Sequence, residues 1–156
     1  MHQQDTIITK FKNLWKYYLL QSLLAATVLF VLAVILGEDR IVSISAVGAT
    51  AFIVFAMPKS VSAQTKHVIG GHLVGFTAGA VTCLTVLPSP VEYAVAVGIA
   101  IFLMVALDVE HPPAAGTALA VVTNEVSFNV FVALMLTAVV LTQCRYYLRG
   151  FLKDLV

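Results

Sequence analysis

The chain has 156 residues, of which 60% are hydrophobic and only 11% charged, with a mean hydropathy of +0.98. Soluble domains carry roughly 25% charged residues, so this composition excludes a water-facing globule and leaves a bilayer as the natural surroundings. The net charge of +1 makes no basic surface, and nucleic acid is not expected as a partner.

Charges are missing from Tyr17 to Gly37, from Ile41 to Pro58, and, apart from His72, from Val68 to Val91. They are missing again over Tyr93–Leu107, Pro112–Asn124 and Val126–Cys144. Irregular backbone is not tolerated against lipid, so the runs predict an all-α integral membrane protein, a single domain over residues 1–156. Six transmembrane or partly spanning helices are expected. The first is Tyr17–Leu36, with Trp15, Tyr17 and Tyr18 at the interface where aromatic rings settle. It follows Lys10, Lys12 and Lys16, yet it is too long for a signal-peptide core, and Glu38-Asp39 stands where a small-residue cleavage site belongs. It is therefore read as a retained helix. Segment two runs from Ser43 to Met57 and stops at Pro58. Segment three, Val68–Leu87, is ended by Pro88 and Pro90. Segments four, five and six cover Val91–Leu107, Pro112–Thr123 and Val126–Tyr147. Segment five reaches only about 18 Å at 1.5 Å per residue, against a hydrocarbon core of roughly 30 Å.

If all six alternate across the membrane, one side collects Lys10, Lys12, Lys16, Lys59, Lys66, Arg145, Arg149 and Lys153, and the other has only Arg40. Basic loops stay inside, so both termini are expected in the cytoplasm and the Gly37–Arg40 turn outside, in a plasma (inner) membrane. Four full spans with two re-entrant pieces would keep the same termini. The lengths also repeat: long, short, long, then long, short, long. The short members share small residues, Ser45-Ala46-Val47-Gly48-Ala49-Thr50-Ala51 against Pro113-Ala114-Ala115-Gly116-Thr117-Ala118-Leu119. Two repeats, 15–88 and 91–148, are expected, inverted because each holds three segments. Inverted repeats with short helices in matching places point to a transport site.

The most distinctive stretch is Asp108-Val109-Glu110-His111-Pro112-Pro113-Ala114-Ala115-Gly116-Thr117-Ala118. Proline suits a helix's first turn, so the pair starts segment five firmly, and the N–H groups of Ala114 and Ala115 belong to the unbonded set of a helix start. Such an end attracts anions. Segment two offers a counterpart, with Ser43 as N-cap and Ile44, Ser45 and Ala46 as donors. With inverted repeats the two starts are expected to meet and cage a small anion, with the aligned Gly48 and Gly116 among the candidate binding residues. Thr50 and Thr117 add hydroxyls, or else bond back to their own helix. In segment three Gly71, Gly75 and Gly79 form a bare stripe for close helix packing. His72 lies one turn inside an apolar segment, where an ionisable group defaults to a functional role; a neutral imidazole on a backbone carbonyl is the bland alternative.

Other chemistries find little support. Reading His67, His72, His111, Asp108 and Glu110 as metal ligands lacks an H-E-x-x-H or paired-cysteine spacing, so no metal or cofactor is expected. No Ser/His/Asp set, P-loop or dinucleotide fingerprint appears, and an enzyme is not expected. Cys83 and Cys144 lie in apolar runs and read as inert thiols.

Taken together, Gly48-Ala49-Thr50-Ala51, Ser62-Ala63-Gln64, Val68-Ile69-Gly70-Gly71-His72 and His111-Pro112-Pro113-Ala114-Ala115-Gly116-Thr117-Ala118-Leu119 resemble the HPP family of small integral membrane proteins over nearly the whole chain. Members in cyanobacteria and plastids are associated with nitrite transport, so the resemblance implies a small inorganic anion, nitrite first, with nitrate or a related ion next. Two departures stand out: Thr65 replaces a proline common after the Ala-Gln pair, and Glu110 sets a carboxylate before the family histidine. Ionised, Glu110 would repel an anion; Glu110, His111 and His72 are thus the candidates for proton coupling. The rival expectation is a non-transporting membrane subunit whose glycine face docks a partner protein. A path within a protomer and one between protomers of a homo-oligomer both remain open.

Overall fold

The computed structural model describes residues 7–36, 41–124 and 128–156. Six helices make up the regular structure there: α1 (Ile7–Leu36), α2 (Ile41–Ala56), α3 (Thr65–Thr82), α4 (Ser89–Ala106), α5 (Pro113–Asn124) and α6 (Phe128–Leu148), with a 3-10 turn at Val61–Ala63. Three of them, α1, α4 and α6, are long and apolar enough to cross a membrane by length and composition. Large side chains such as Phe30 and Phe102 project outward from the bundle, as a lipid-facing surface requires. The expected turn at Gly37–Arg40 lies outside the described residues.

Boundaries differ from expectation where local chemistry overrides the apolar run. Helix α1 starts ten residues early, since Lys and other straight-chain residues propagate a helix well in water. Helix α3 stops at Thr82, five residues before the expected end. There Thr85 folds back, its hydroxyl and its backbone N–H both bonding to the Thr82 carbonyl. Helix α4 instead absorbs Pro90 in its first turn, where a missing N–H costs nothing.

One end of the bundle gathers the basic segments. Lys66, at the start of α3, pairs with Asp108, just past α4. Arg145, near the end of α6, donates from Nε to the Pro58 carbonyl at 2.8 Å. The chain after α6 folds back so that the Leu155 N–H donates to the Ala56 carbonyl at 2.9 Å. It is held there by Gln21, whose buried amide donates to the Lys153 carbonyl and accepts from the Lys153 N–H, both at 2.9 Å, and also donates to the Phe55 carbonyl. The start of α3, the ends of α2, α4 and α6, and the stretch of α1 around Gln21 therefore lie towards one end, from which the N-terminal half of α1 extends.

Two apolar clusters fill the interior. Val54, Phe55, Val68, Leu134 and Leu141 join α2, α3 and α6. Alanines dominate the other, with Ala78, Ala96, Ala100, Ala114 and Ala118 letting α3, α4 and α5 approach closely.

Candidate functional site

Small residues bring α3 and α5 together. A Cβ added at Gly71 would lie 2.6 Å from His111 Cβ, and one at Gly79 would lie 2.7 Å from the Ala118 carbonyl oxygen. At Gly75 it would overlap the Ala114 carbonyl oxygen. The expected glycine stripe is thus a helix–helix seam, and its partner is the helix begun by Pro112-Pro113.

That seam, together with α2, encloses four polar side chains. Thr50, His72, His111 and Thr117 are all buried. Thr50 Oγ1 lies 2.9 Å from His72 Nε2 and 3.0 Å from His111 Nε2, and it also reaches the Ala46 carbonyl at 3.0 Å. His72 Nδ1 is 2.7 Å from Thr117 Oγ1. His111 Nδ1 is 2.8 Å from the carbonyl oxygen of Ser62, in the 3-10 turn. The two imidazoles meet edge to face at 5.1 Å between centroids. His72 lies seven residues into α3, so the cluster sits roughly 10 Å inside its end of the bundle.

Proton positions follow from the one partner that can only accept. Because the Ser62 carbonyl has no hydrogen to give, His111 donates from Nδ1. A neutral His111 then accepts at Nε2 from the Thr50 hydroxyl. With its only hydrogen committed, Thr50 accepts from His72 Nε2–H, and His72 Nδ1 accepts from the Thr117 hydroxyl. Donors and acceptors therefore run in one sense from Thr117 to Ser62. One added proton is accommodated by a single rotor. A doubly protonated His111 donates to Thr50, whose hydroxyl turns to the Ala46 carbonyl while its two lone pairs accept from both imidazoles. Each polar group keeps a partner in both states.

Ala46 packs on Gly116, whereas Thr50, one turn further along α2, meets His111 just before α5. The two short helices lie side by side in opposite senses, with the start of α5 against the Ala46–Thr50 stretch of α2. The Ala114 N–H donates to the His111 carbonyl at 2.8 Å, and the Ala115 N–H to the Pro112 carbonyl at 3.1 Å. Those two amides are already used by the tight turn that Pro112-Pro113 imposes.

Among the other expected residues, Ala114 is buried under the glycine seam and Ala115 is half-buried. Gly48 is half-buried with open space at its Cα, and Ser45 is exposed. The side chain of Ser43 lies outside the described residues; its backbone is inside α2, not at a cap. Glu110 lies away from the four-residue chain, beside His67, with Nδ1 to Oε2 at 3.5 Å. Two hollows flank the His111-Pro112 turn. A wide one of about 670 Å³ is lined by Phe52, Ile53, Met57, Ser60, Ser62 and Pro112 among others. Another, of about 240 Å³, is bounded by Ile101, Met104, Glu110, His111 and Ala115. Sequence reading missed Gln21 and the Ser62 carbonyl. A lone amide in the apolar run of α1 was a usable signal for Gln21; a backbone carbonyl leaves none.

An all-helical membrane bundle with a buried histidine–threonine centre is the class these features define. The chain belongs to the HPP transmembrane family: the family model described as "HPP, transmembrane region" matches residues 9–150. No curated protein and no solved structure matches it.

Proposed function

We propose that this protein carries a small inorganic anion, nitrite first, across the membrane together with a proton, at the centre formed by Thr50, His72, His111 and Thr117. The observation that carries the reading is the closed hydrogen-bond chain, which has room for one further proton. When neutral, it spends its donors internally and has little to offer an anion. Protonation of the imidazole pair adds a donor and a positive charge where an anion would otherwise be expelled by desolvation. Because the Ala114 and Ala115 amides are engaged, hydroxyls and imidazoles are better suited than helix starts to contact the anion. Ionisable groups inside membrane segments most often mark such a path.

The architecture supports two inverted repeats. Exchanging α1, α2 and α3 for α4, α5 and α6 carries the α1–α2 contact onto α4–α5 and α3–α5 onto α2–α6, whereas the extensive α3–α4 contact has only a slight counterpart in α1–α6. Every exchanged pair runs in opposite senses relative to the basic end. The positive-inside tendency then sets that end, and with it both termini, in the cytoplasm of a cell whose inner membrane holds the protein.

Nitrite uptake into liposomes containing only the purified protein tests this, across about pH 5.5 to 8. Uptake driven by an inward proton gradient, and lost in His111→Gln and His72→Gln, is expected. Equal uptake in both variants would remove the centre from the path. An absence of flux in the unaltered protein would favour the partner-docking subunit.

A further inference from the structure

We propose that His67, Asp108 and Glu110 form a binding site for a divalent transition-metal ion of the zinc class at the basic end of the bundle. These residues lie 41 to 43 positions apart along the chain (67 to 108 and 67 to 110), on the first turn of α3 and on the turn between α4 and α5. Their ligand atoms nevertheless all fall within 4.8 Å of one another. The spacing is too long for a motif and becomes visible only when α3 packs on α5.

The independent pointer to a ligand is the imidazole. His67 is 4% exposed, and its Nδ1 is fully buried without a hydrogen-bond partner. Buried polar atoms are nearly always paired, and an exception calls for an explanation such as an ion. That nitrogen faces a carboxylate, with Glu110 Oε2 at 3.5 Å, within ionic reach but not hydrogen-bonded. Asp108 adopts φ 54, a left-handed conformation that a non-glycine residue adopts at a cost and that recurs at ligand sites.

Donor chemistry selects the ion. Zinc-class metals bind imidazole nitrogen and carboxylate oxygen at about 2.0–2.2 Å, which brings neighbouring ligand atoms to roughly 3.5 Å, a small closure from their present spacing. Calcium and magnesium favour all-oxygen shells, so a buried imidazole disfavours them. One nitrogen and two carboxylates leave a fourth tetrahedral position for water. The competitor is Lys66, whose ammonium pairs with Asp108; both side chains are exposed, so the lysine can swing away. Val109, between the two acids, packs on Gly70, and His111 directly follows Glu110. A bound ion would therefore clamp the start of α3 to the His111-Pro112-Pro113 turn.

The site does not depend on the transport reading, and it is tested without flux. The protein, in detergent and freed of metal by a chelator, is titrated with Co²⁺ and followed by visible absorption, with Zn²⁺ as the displacing ion. One Co²⁺ per chain is expected, bound at least about tenfold more weakly in His67→Gln and in Glu110→Gln, a loss of about 1.4 kcal/mol. Lys66→Met should bind several-fold more tightly, because it frees Asp108. Both Glu110 and Lys66 are accessible to solvent, so their variants remain informative if His67→Gln fails to fold. No uptake up to about 100 µM, affinity unchanged by Glu110→Gln, or affinity not raised by Lys66→Met would each overturn the site.

Discussion

Replacing Gly75 by alanine adds one methyl group at the tightest point of the α3–α5 seam. The new carbon would overlap the Ala114 carbonyl oxygen and stand 3.1 Å from its carbon and 3.3 Å from Thr117 Cβ. Carbon pairs prefer about 3.5–4.0 Å. Because the nearest obstacles are backbone, relief requires α5 to retreat by roughly 1 Å. Overpacking of this kind costs about 1–3 kcal/mol, and the upper end applies where no flexible side chain can yield. The same retreat would stretch His72 Nδ1 to Thr117 Oγ1 from 2.7 Å past hydrogen-bond range, adding about 1 kcal/mol. Near 4 kcal/mol in total, at about 2–4 °C per kcal/mol for a chain of this size, the detergent-purified variant should melt about 8–16 °C lower. Gly98→Ala is the internal control. Gly98 lies inside α4 with nothing within 4 Å of the added carbon, and alanine there should hold or raise the melting temperature, since glycine costs up to about 1 kcal/mol in a helix. Gly75→Ala melting with the unaltered protein would refute the seam.

Thr50→Val keeps the side-chain shape but leaves Nε2 of both His72 and His111 unpartnered, at about 1–3 kcal/mol for each buried group. A thermal melt should show the loss, and Thr50→Ser should restore most of it. Gln21→Leu removes the bonds that hold Lys153, so trypsin should cut at Arg149 and Lys153 faster than in the unaltered protein under native conditions. Asp108 has its carboxyl held below the ordinary value by the hydrogen bond and charge of Lys66. Its folded value is lowered, so the pair's contribution is present above the usual carboxylate pKa of about 3.9 and fades as pH falls through the lowered value. In metal-free protein, Asp108→Asn should erase that part of the acid dependence in a melt series while changing little near neutral pH, because both partners are exposed.

Class, helix number and the gathering of basic residues at one end were legible because they depend on composition and on the length of charge-free runs. Bilayer burial imposes both, whatever the tertiary contacts. Helix ends were less legible. The run to Leu87 looked continuous, yet α3 closes at Thr82 through a side-chain and backbone turn that apolar periodicity does not register. At the other end of the chain, α1 extends past its apolar run because lysines propagate a helix as well as many apolar residues do. The glycine stripe in α3 identified a packing face but not its partner. That required the fit of Gly75 over the Ala114 carbonyl, a contact between backbones.

The site was legible as residues but not as an arrangement. Thr50, His72, His111 and Thr117 each stood out as polar groups in apolar surroundings, and burial does bring them together. Their order along the hydrogen-bond chain depends on contacts across 22, 45 and 61 positions of sequence, which no local pattern encodes. The anion-binding reading of the Pro112-Pro113 helix start was reasonable for an open terminus. In the structure the same prolines tighten the turn until the Ala114 and Ala115 amides meet the His111 and Pro112 carbonyls. What the prolines position instead is His111. Its Nδ1 is anchored on an acceptor-only carbonyl, so its remaining nitrogen must carry any change in protonation, and that nitrogen faces Thr50. A hydroxyl with three partners and one hydrogen is the simplest pivot able to pass such a change to a second imidazole. The protonation state of His111 therefore decides where Thr50 points.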